Sequence, residues 1–323
     1  MEDLVVQVLE ELTAQRIRRG ELSRGNGRML RWVESVPAPA AAGLGTPGPA
    51  VVFSASFGET GCLGWLAVLP LLAPEIRWIA YDRPGLGASD PDPSATLETH
   101  VDDLAAVAEQ AGGPCILAGA SWGGLIGQAA ALRRSEITAG LVLSDPSDER
   151  MILSQSPAER RMLPEYCAAL DARAAAGTLE DHLRSELGGD VARITSDPAL
   201  RARVMNAHLA SYAVPSWTET MRAEDRTMLT DAPSIASTRR ERRFPSVPLV
   251  IFSASTGLPP ERRRVFTGYH RELAAAVPGS RHIVVTGAGH AVQQERPALV
   301  ADAITRMHQE QRTVSASGTR GAK

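Results

Sequence analysis

Residues 115–133 read CILAGASWGGLIGQAAALR. The opening run, Cys115-Ile116-Leu117-Ala118-Gly119, is short, apolar and bounded by turn residues, which suits a strand buried on both faces. From Trp122 to about residue 134 the pattern is that of a helix. Between the two lies Gly119-Ala120-Ser121-Trp122-Gly123, a G-x-S-x-G pentapeptide. Alone this motif is weak. Between a strand and a helix it has the setting in which it exposes a nucleophile. The reason is steric: the turn forces strained backbone on the serine, and small neighbours avoid clashes. The turn also sets the Trp122 amide at a helix N-terminus, facing any oxyanion that develops there.

Further apolar runs predict more strands on either side: Ala50–Phe53, Ile76–Tyr81, Leu141–Leu143, Pro248–Phe252 and His282–Val285. Helix-like stretches at about 62–73, 96–112, 122–134, 262–276 and 292–310 separate most of them. This alternation predicts an α/β protein, with a mostly parallel sheet flanked by helices. From about Ser147 to Phe244 the alternation stops, and about a hundred residues read as helix without a convincing strand. The organisation expected is an N-terminal helix (2–19), leading strand (near Met29–Val33) and Pro/Gly/Ala loop (Val36–Pro49) over 1–49. Core follows over 50–146, an inserted α-helical cap over 147–245, core again over 246–310, and a disordered tail over 311–323. No internal repeat is visible.

The composition excludes several classes. Of 323 residues, 44% are hydrophobic and 22% charged, ordinary for a soluble globular chain. The net charge of −3 gives no field to gather nucleic acid or an anionic membrane. All cationic side chains but Lys323 are arginine, the mark of a GC-rich coding sequence rather than of a function. No run reaches the roughly 18 apolar residues needed to span a bilayer. Cys62, Cys115 and Cys167 lie too far apart for a metal pair and make no even disulfide framework, so buried free thiols in a reducing cytoplasm are expected. No dinucleotide fingerprint, H-E-x-x-H or acidic metal cluster appears; neither cofactor nor metal is expected.

Two more segments carry a resemblance. Tyr81-Asp82-Arg83-Pro84-Gly85-Leu86-Gly87-Ala88-Ser89 precedes the pentapeptide, and Gly287-Ala288-Gly289-His290, followed by a helix with Pro297, comes after it. Together, in this order, the three resemble the α/β-hydrolase family over about residues 50–310. The resemblance implies Ser121 as nucleophile and His290 as its base. The other six histidines fall in helical stretches or at a strand start. The family's commoner acid position, after the strand that follows the cap, reads Phe252-Ser253-Ala254-Ser255-Thr256-Gly257-Leu258-Pro259-Pro260 and holds no carboxylate. Some members place the acid after the strand next to the nucleophile helix, and there Asp145 stands, with Asp148 as the alternative and Glu261 third. The resemblance implies an oxyanion hole from the Phe57 and Trp122 amides, although Ala55-Ser56 replace the commoner His-Gly. Asp82 and Arg83 are read as a structural turn. The runs Arg239–Arg243 and Arg262–Arg264 are read as solvated helix faces.

Specificity is expected in the cap and strand-top loops. Trp65, Tyr212 and Trp217 are the candidate pocket residues, Tyr166, Met205, His208 and Met221 the further aromatics and methionines of the cap, and the Trp122 ring is expected beside the pocket. The expected function is a cofactor-independent serine hydrolase acting on an ester, lactone or thioester of a small hydrophobic acyl substrate. An acyltransferase or cyclase using the same triad, and a ligand receptor with residual hydrolysis, remain the alternatives. An aspartate nucleophile, as in dehalogenases and epoxide hydrolases of this family, is disfavoured by Ser121. The oligomeric state stays open, a homodimer included.

Overall fold

The computed structural model describes residues 2–37 and 48–318. Most of the expected Pro/Gly/Ala loop, at 38–47, and the tail residues 319–323 lie outside them. In chain order the elements are α1 (Glu2–Thr13), β1 (Arg16–Ser23), β2 (Met29–Val36), β3 (Val51–Ser54), β4 (Trp78–Asp82), α2 (Leu97–Gln110), β5 (Cys115–Ala120), α3 (Ser121–Arg133) and β6 (Thr138–Ser144). There follow α4 (Glu149–Leu153), α5 (Pro157–Ala175), α6 (Leu179–Ile194), α7 (Pro198–Tyr212), α8 (Pro215–Glu241), β7 (Leu249–Ala254), α9 (Pro260–Ala275), β8 (Arg281–Val285), α10 (Val292–Glu295) and α11 (Pro297–Gly318).

The strands form one sheet in the order β1-β2-β4-β3-β5-β6-β7-β8. β1 and β2 pair antiparallel, as do β2 and β4, and all later pairs are parallel. The strand order reverses at β3, and in such sheets a crevice opens beyond the strand C-termini at that point. The apolar runs alternate across the sheet with the two-residue period of a strand. Val51, Phe53, Ile116, Ala118, Val250 and Phe252 face one side, where α1 and α11 pack. Val52, Ile79, Leu117, Leu141 and Ile251 face the other, under α2, α3 and α9.

The expected helical segment is present: α4–α8 all fall between β6 and β7. The long α8 packs on α4 and α5, and α7 packs on α6 and α1.

Three expectations need correction. The first helix ends at Thr13, and Arg16–Ser23 is the edge strand β1. Only Ile17 of that strand is buried, because an edge strand carries charges outward and loses the apolar pattern. Residues 62–73 form two short 3₁₀ turns, Leu63–Trp65 and Leu69–Leu71, with Pro70 in the second removing an amide that a longer helix would use. The expected tail is helical as far as Gly318. Among the described residues no helix is long and apolar enough to cross a membrane, and all three cysteines are free and buried.

Candidate active site

β5 runs into α3 with no residue between Ala120 and Ser121. The turn closes because Ser121 adopts φ +49°, a left-handed conformation that costs a non-glycine residue roughly 1–2 kcal/mol. Its glycine neighbours are required by contact. A Cβ on Gly119 would lie 2.6 Å from the Gly124 Cα, and one on Gly123 would lie 2.3 Å from the Ser54 carbonyl oxygen. The second approach draws the loop after β3 against the N-terminus of α3. The Ser147 amide donates to the Ser121 carbonyl at 2.9 Å, tying the turn to the end of β6.

The structure brings Ser121, His290 and Asp145 together. His290 Nε2 lies 2.8 Å from Ser121 Oγ, and His290 Nδ1 lies 2.6 Å from Asp145 Oδ2. One tautomer satisfies both: Nδ1–H donates to the carboxylate, and Nε2 accepts the serine proton. Ser121 is 8% exposed and Asp145 fully buried, while the His290 side chain is 49% exposed. Of the other two acids considered, Asp148 caps α4, accepting from the Arg150 amide at 2.9 Å and pairing with its guanidinium. Glu261 stands exposed in the first turn of α9.

Asp145 is held from several sides. It also takes a positive φ, +37°, and its amide donates to the Phe252 carbonyl at 2.8 Å. Arg263 Nη1 donates to both carboxylate oxygens, at 2.9 and 3.0 Å, and the Ala254 amide donates to Oδ1 at 3.0 Å. Burial alone would push this carboxyl up. The hydrogen bond from His290 and the charges of His290 and Arg263 outweigh it, and the pKa lies below the ordinary value. Beneath it, His270 Nδ1 is 4.0 Å from Oδ1. His270 Nε2–H donates to the Pro146 carbonyl at 2.8 Å, so Nδ1 accepts from Ser253 Oγ at 2.7 Å, and burial keeps this ring's pKa low.

Arg263 is the residue that the sequence reading passed over, as part of an arginine run on a solvated face. Spacing carries the missed signal: Arg263, Phe266 and His270 share the buried face of α9. Arg239, in the other run, is likewise engaged, pairing with buried Glu149 at 2.8 Å and donating to Gln128 Oε1 at 2.6 Å.

The loop after β3 is fixed by a buried ion pair. Arg83 donates to Glu224 of α8 at 2.5 and 3.1 Å, and to the carbonyls of Ala55 and Ser56 at 2.7 Å each. Glu224 in turn accepts from the Gly58 amide at 2.8 Å. Arg83 is thus more than a turn residue: it joins the core, the helical segment and the loop that carries Phe57. Asp82 matches its structural reading, accepting from the amides of Gly61 and Ala88.

A cleft of about 470 Å³ opens beside His290, lined by Phe57, Ser147, Ile152, Leu163, Asp225 and Met228 among others. The three expected pocket aromatics do not line it. Trp65 is fully buried against Phe53, its indole N–H donating to the Ser54 carbonyl. Tyr212 and Trp217 stack on each other, the first accepting from the Thr60 amide and the second donating to the Gly58 carbonyl. They bind the helical segment to the loop, so their large apolar area is spent on docking. Met205, His208 and Met221 are also buried, and Tyr166 is partly exposed. The Trp122 ring turns away into the core, edge-on to His100. A second cavity of about 320 Å³, lined in part by Trp32, Val33 and Cys62, includes no residue of the Ser121–His290–Asp145 group.

The model of the family described as the alpha/beta hydrolase family matches residues 41–303. Among solved structures, the chain is similar to a haloalkane dehalogenase from Bradyrhizobium elkani USDA94, at 18% identity over 92% of this chain and 99% of that one, with a TM-score of 0.68. It is similar to the enol-lactonase from Burkholderia xenovorans LB400, at 19% identity over 89% and 99% of the two chains, TM-score 0.60. A thermophilic esterase from Thermogutta terrifontis matches at 21% identity over 90% and 99%, TM-score 0.58. At such identities the likeness is one of fold. Among curated proteins none matches the sequence.

Proposed function

The chain belongs to the alpha/beta hydrolase family, and from that premise we propose that it cleaves an ester-type bond — ester, lactone or thioester — of a small hydrophobic substrate through an acyl-enzyme on Ser121. The observation that carries this reading is the pair of contacts at His290: 2.8 Å to Ser121 Oγ and 2.6 Å to Asp145 Oδ2. A serine hydroxyl needs such a base to attack at neutral pH. As Oγ bonds to the acyl carbon, its proton passes to His290 Nε2. Asp145 fixes the tautomer and stabilises the imidazolium. The amides of Trp122 and Phe57 donate to the oxyanion. His290 then protonates the leaving group, takes a proton from water, and the hydroxide so formed releases the acid.

The half-exposed His290 side chain favours water over an internal acceptor, since an acyltransferase or cyclase works by keeping water out. Ser121 separates this reading from dehalogenase and epoxide hydrolase chemistry, which in this family uses aspartate there. The segment α4–α8 serves as the cap, with its cleft side formed by α4, α5 and α8. The free, buried cysteines support a cytoplasmic location.

The test is hydrolysis of p-nitrophenyl esters of graded chain length by wild type and Ser121→Ala, with intact mass recorded during turnover. The expected result is an acyl adduct and turnover in the wild type only. Absence of both turnover and adduct across the series would overturn the esterase reading.

A further inference from the structure

The charged side chains that line the cleft are answered within the protein, with two exceptions. Arg263 is held by Asp145, Arg262 donates to Glu159 at 2.7 Å, and Asp148 pairs with Arg150. Arg160 stands exposed at the rim, where water screens it. Asp225 is different. It is half-buried, on the turn of α8 that also sends Met228 into the cleft, and it makes no hydrogen bond or ion pair among the described residues. Glu224, next in sequence, points to the Arg83 pair instead. Burial pushes the Asp225 carboxyl up from its ordinary value, and the one opposing charge is that of Arg226, its exposed chain neighbour.

We infer that the cleft accepts substrates bearing a cationic nitrogen, an ammonium group several bonds from the scissile carbonyl, and that Asp225 is the residue that selects it. Phe57, Ile152, Leu163 and Met228 give the same cleft apolar walls, so the carboxylate acts across low-dielectric surroundings, where its field reaches further than on an open surface. Half-burial has already removed part of its hydration. A cation entering the cleft therefore gains the attraction at a smaller desolvation cost than at an open surface, whereas a neutral isostere gains nothing and a carboxylate is repelled.

This inference rests on the ester-type reading of the site, so the experiment separates the two. The probes are p-nitrophenyl esters of ω-(trimethylammonio)alkanoic acids with two to six methylenes, each paired with its tert-butyl isostere. A mirrored set of acetyl esters carries the same groups on the alcohol. The readout is the ratio of kcat/KM for cation over isostere, measured within each enzyme. In the wild type this ratio is expected to reach about tenfold at one or more lengths, and in Asp225→Asn to fall to about one. A ratio near one at every length in the wild type, or a tenfold ratio that survives in Asp225→Asn, would overturn the inference. A protein that turns over none of these esters overturns the ester-type reading alone. The inference is then decided by calorimetric titration with pentyltrimethylammonium: it holds if wild type binds about tenfold tighter than Asp225→Asn, and fails if the two bind alike.

Discussion

Replacing Asp145 with asparagine separates the two things this carboxylate does. It supports His290 through Oδ2 and neutralises Arg263 through both oxygens. Under the proposed function the first task is catalytic. Asparagine can offer His290 an N–H where an acceptor is needed, which favours the wrong tautomer. A fall in kcat of about 10⁴ is expected from a triad that loses its acid in this way. The second task is structural. Asp145 is fully buried and Arg263 is 6% exposed. At 2.9 Å and an effective dielectric near 20 their attraction is about 6 kcal/mol before desolvation is counted. Removing one charge of such a pair costs about 3–5 kcal/mol, because the other is left buried without a counter-charge. Asp145→Asn is therefore expected to lower stability by about 3 kcal/mol, the smaller end, since the amide oxygen still accepts from Arg263. Adding Arg263→Met should recover most of that stability in urea denaturation and none of the activity. Stopped-flow ester hydrolysis and denaturation on the four proteins of the cycle give both numbers. A single variant that folds and keeps kcat within tenfold of wild type would remove Asp145 from the triad. A double variant no more stable than Asp145→Asn would refute the account of Arg263.

Three other outcomes are expected. Ser121→Gly should be more stable than Ser121→Ala by about 1 kcal/mol, since only glycine is at ease at φ +49°; equal denaturation midpoints would refute the strain. Arg83→Met should cost about 3–5 kcal/mol and lower kcat by roughly ten- to a hundredfold through loss of the Ala55 and Ser56 contacts. Glu224→Leu in the same chain should restore stability more than rate, and a rate unchanged in Arg83→Met would free the loop from this pair. Buried His100 and His208 have unpartnered ring nitrogens, and burial lowers their pKa to about 4 from the ordinary 6.5. Between those values the unfolded chain binds protons that the fold excludes, so their contribution is complete above about pH 7 and is lost as the pH falls. About 2 kcal/mol per histidine should disappear between pH 7.5 and pH 5, and His208→Phe should flatten the profile of stability against pH.

The fold was legible where local pattern and burial agree. β5, α3 and the parallel strands are apolar runs between turn residues because both faces of the sheet are covered. β1 was not, because RIRRGELS lies at an edge and buries one side chain. For the candidate site, Ser121, His290 and Asp145 could be named from motif, order and a strand-end count. The partners that hold them could not. Arg263 reaches Asp145 across 118 residues and Glu224 reaches Arg83 across 141; helical spacing can set Arg263 on a buried face, but no local pattern names the carboxylate that meets it. The pocket aromatics failed for a related reason. Composition shows that Tyr212 and Trp217 bury something, but whether that is ligand or loop depends on how the helical segment lies on the sheet.

The strand end after β7, where the commoner family pattern puts the acid, is still at work in this chain. Ala254 gives its amide to Asp145. The Ser255 hydroxyl accepts from the Gly287 amide at 2.8 Å, and the amides of Ser255 and Thr256, with the Thr256 hydroxyl, all donate to the Ala288 carbonyl. These bonds brace the loop that ends in His290, so a side chain has been exchanged for a backbone cradle that holds acid and base in one frame. Drawing the carboxylate from β6 requires the positive φ at Asp145 and, in a fully buried position, more donors than His290 alone supplies. Arg263 meets that need from the first turn of α9, the helix that follows the emptied position. The same guanidinium draws negative charge away from the bond to His290, so the arrangement trades part of the acid's electrostatic support for a fixed geometry. Arg263→Lys keeps the charge but has no fork to hold the carboxylate through one nitrogen and the Thr256 carbonyl through another, and should for that reason lower kcat while leaving the pH dependence of the rate in place. A kcat and a pH profile both unchanged in Arg263→Lys would mean that the charge, rather than the geometry, is what Arg263 contributes.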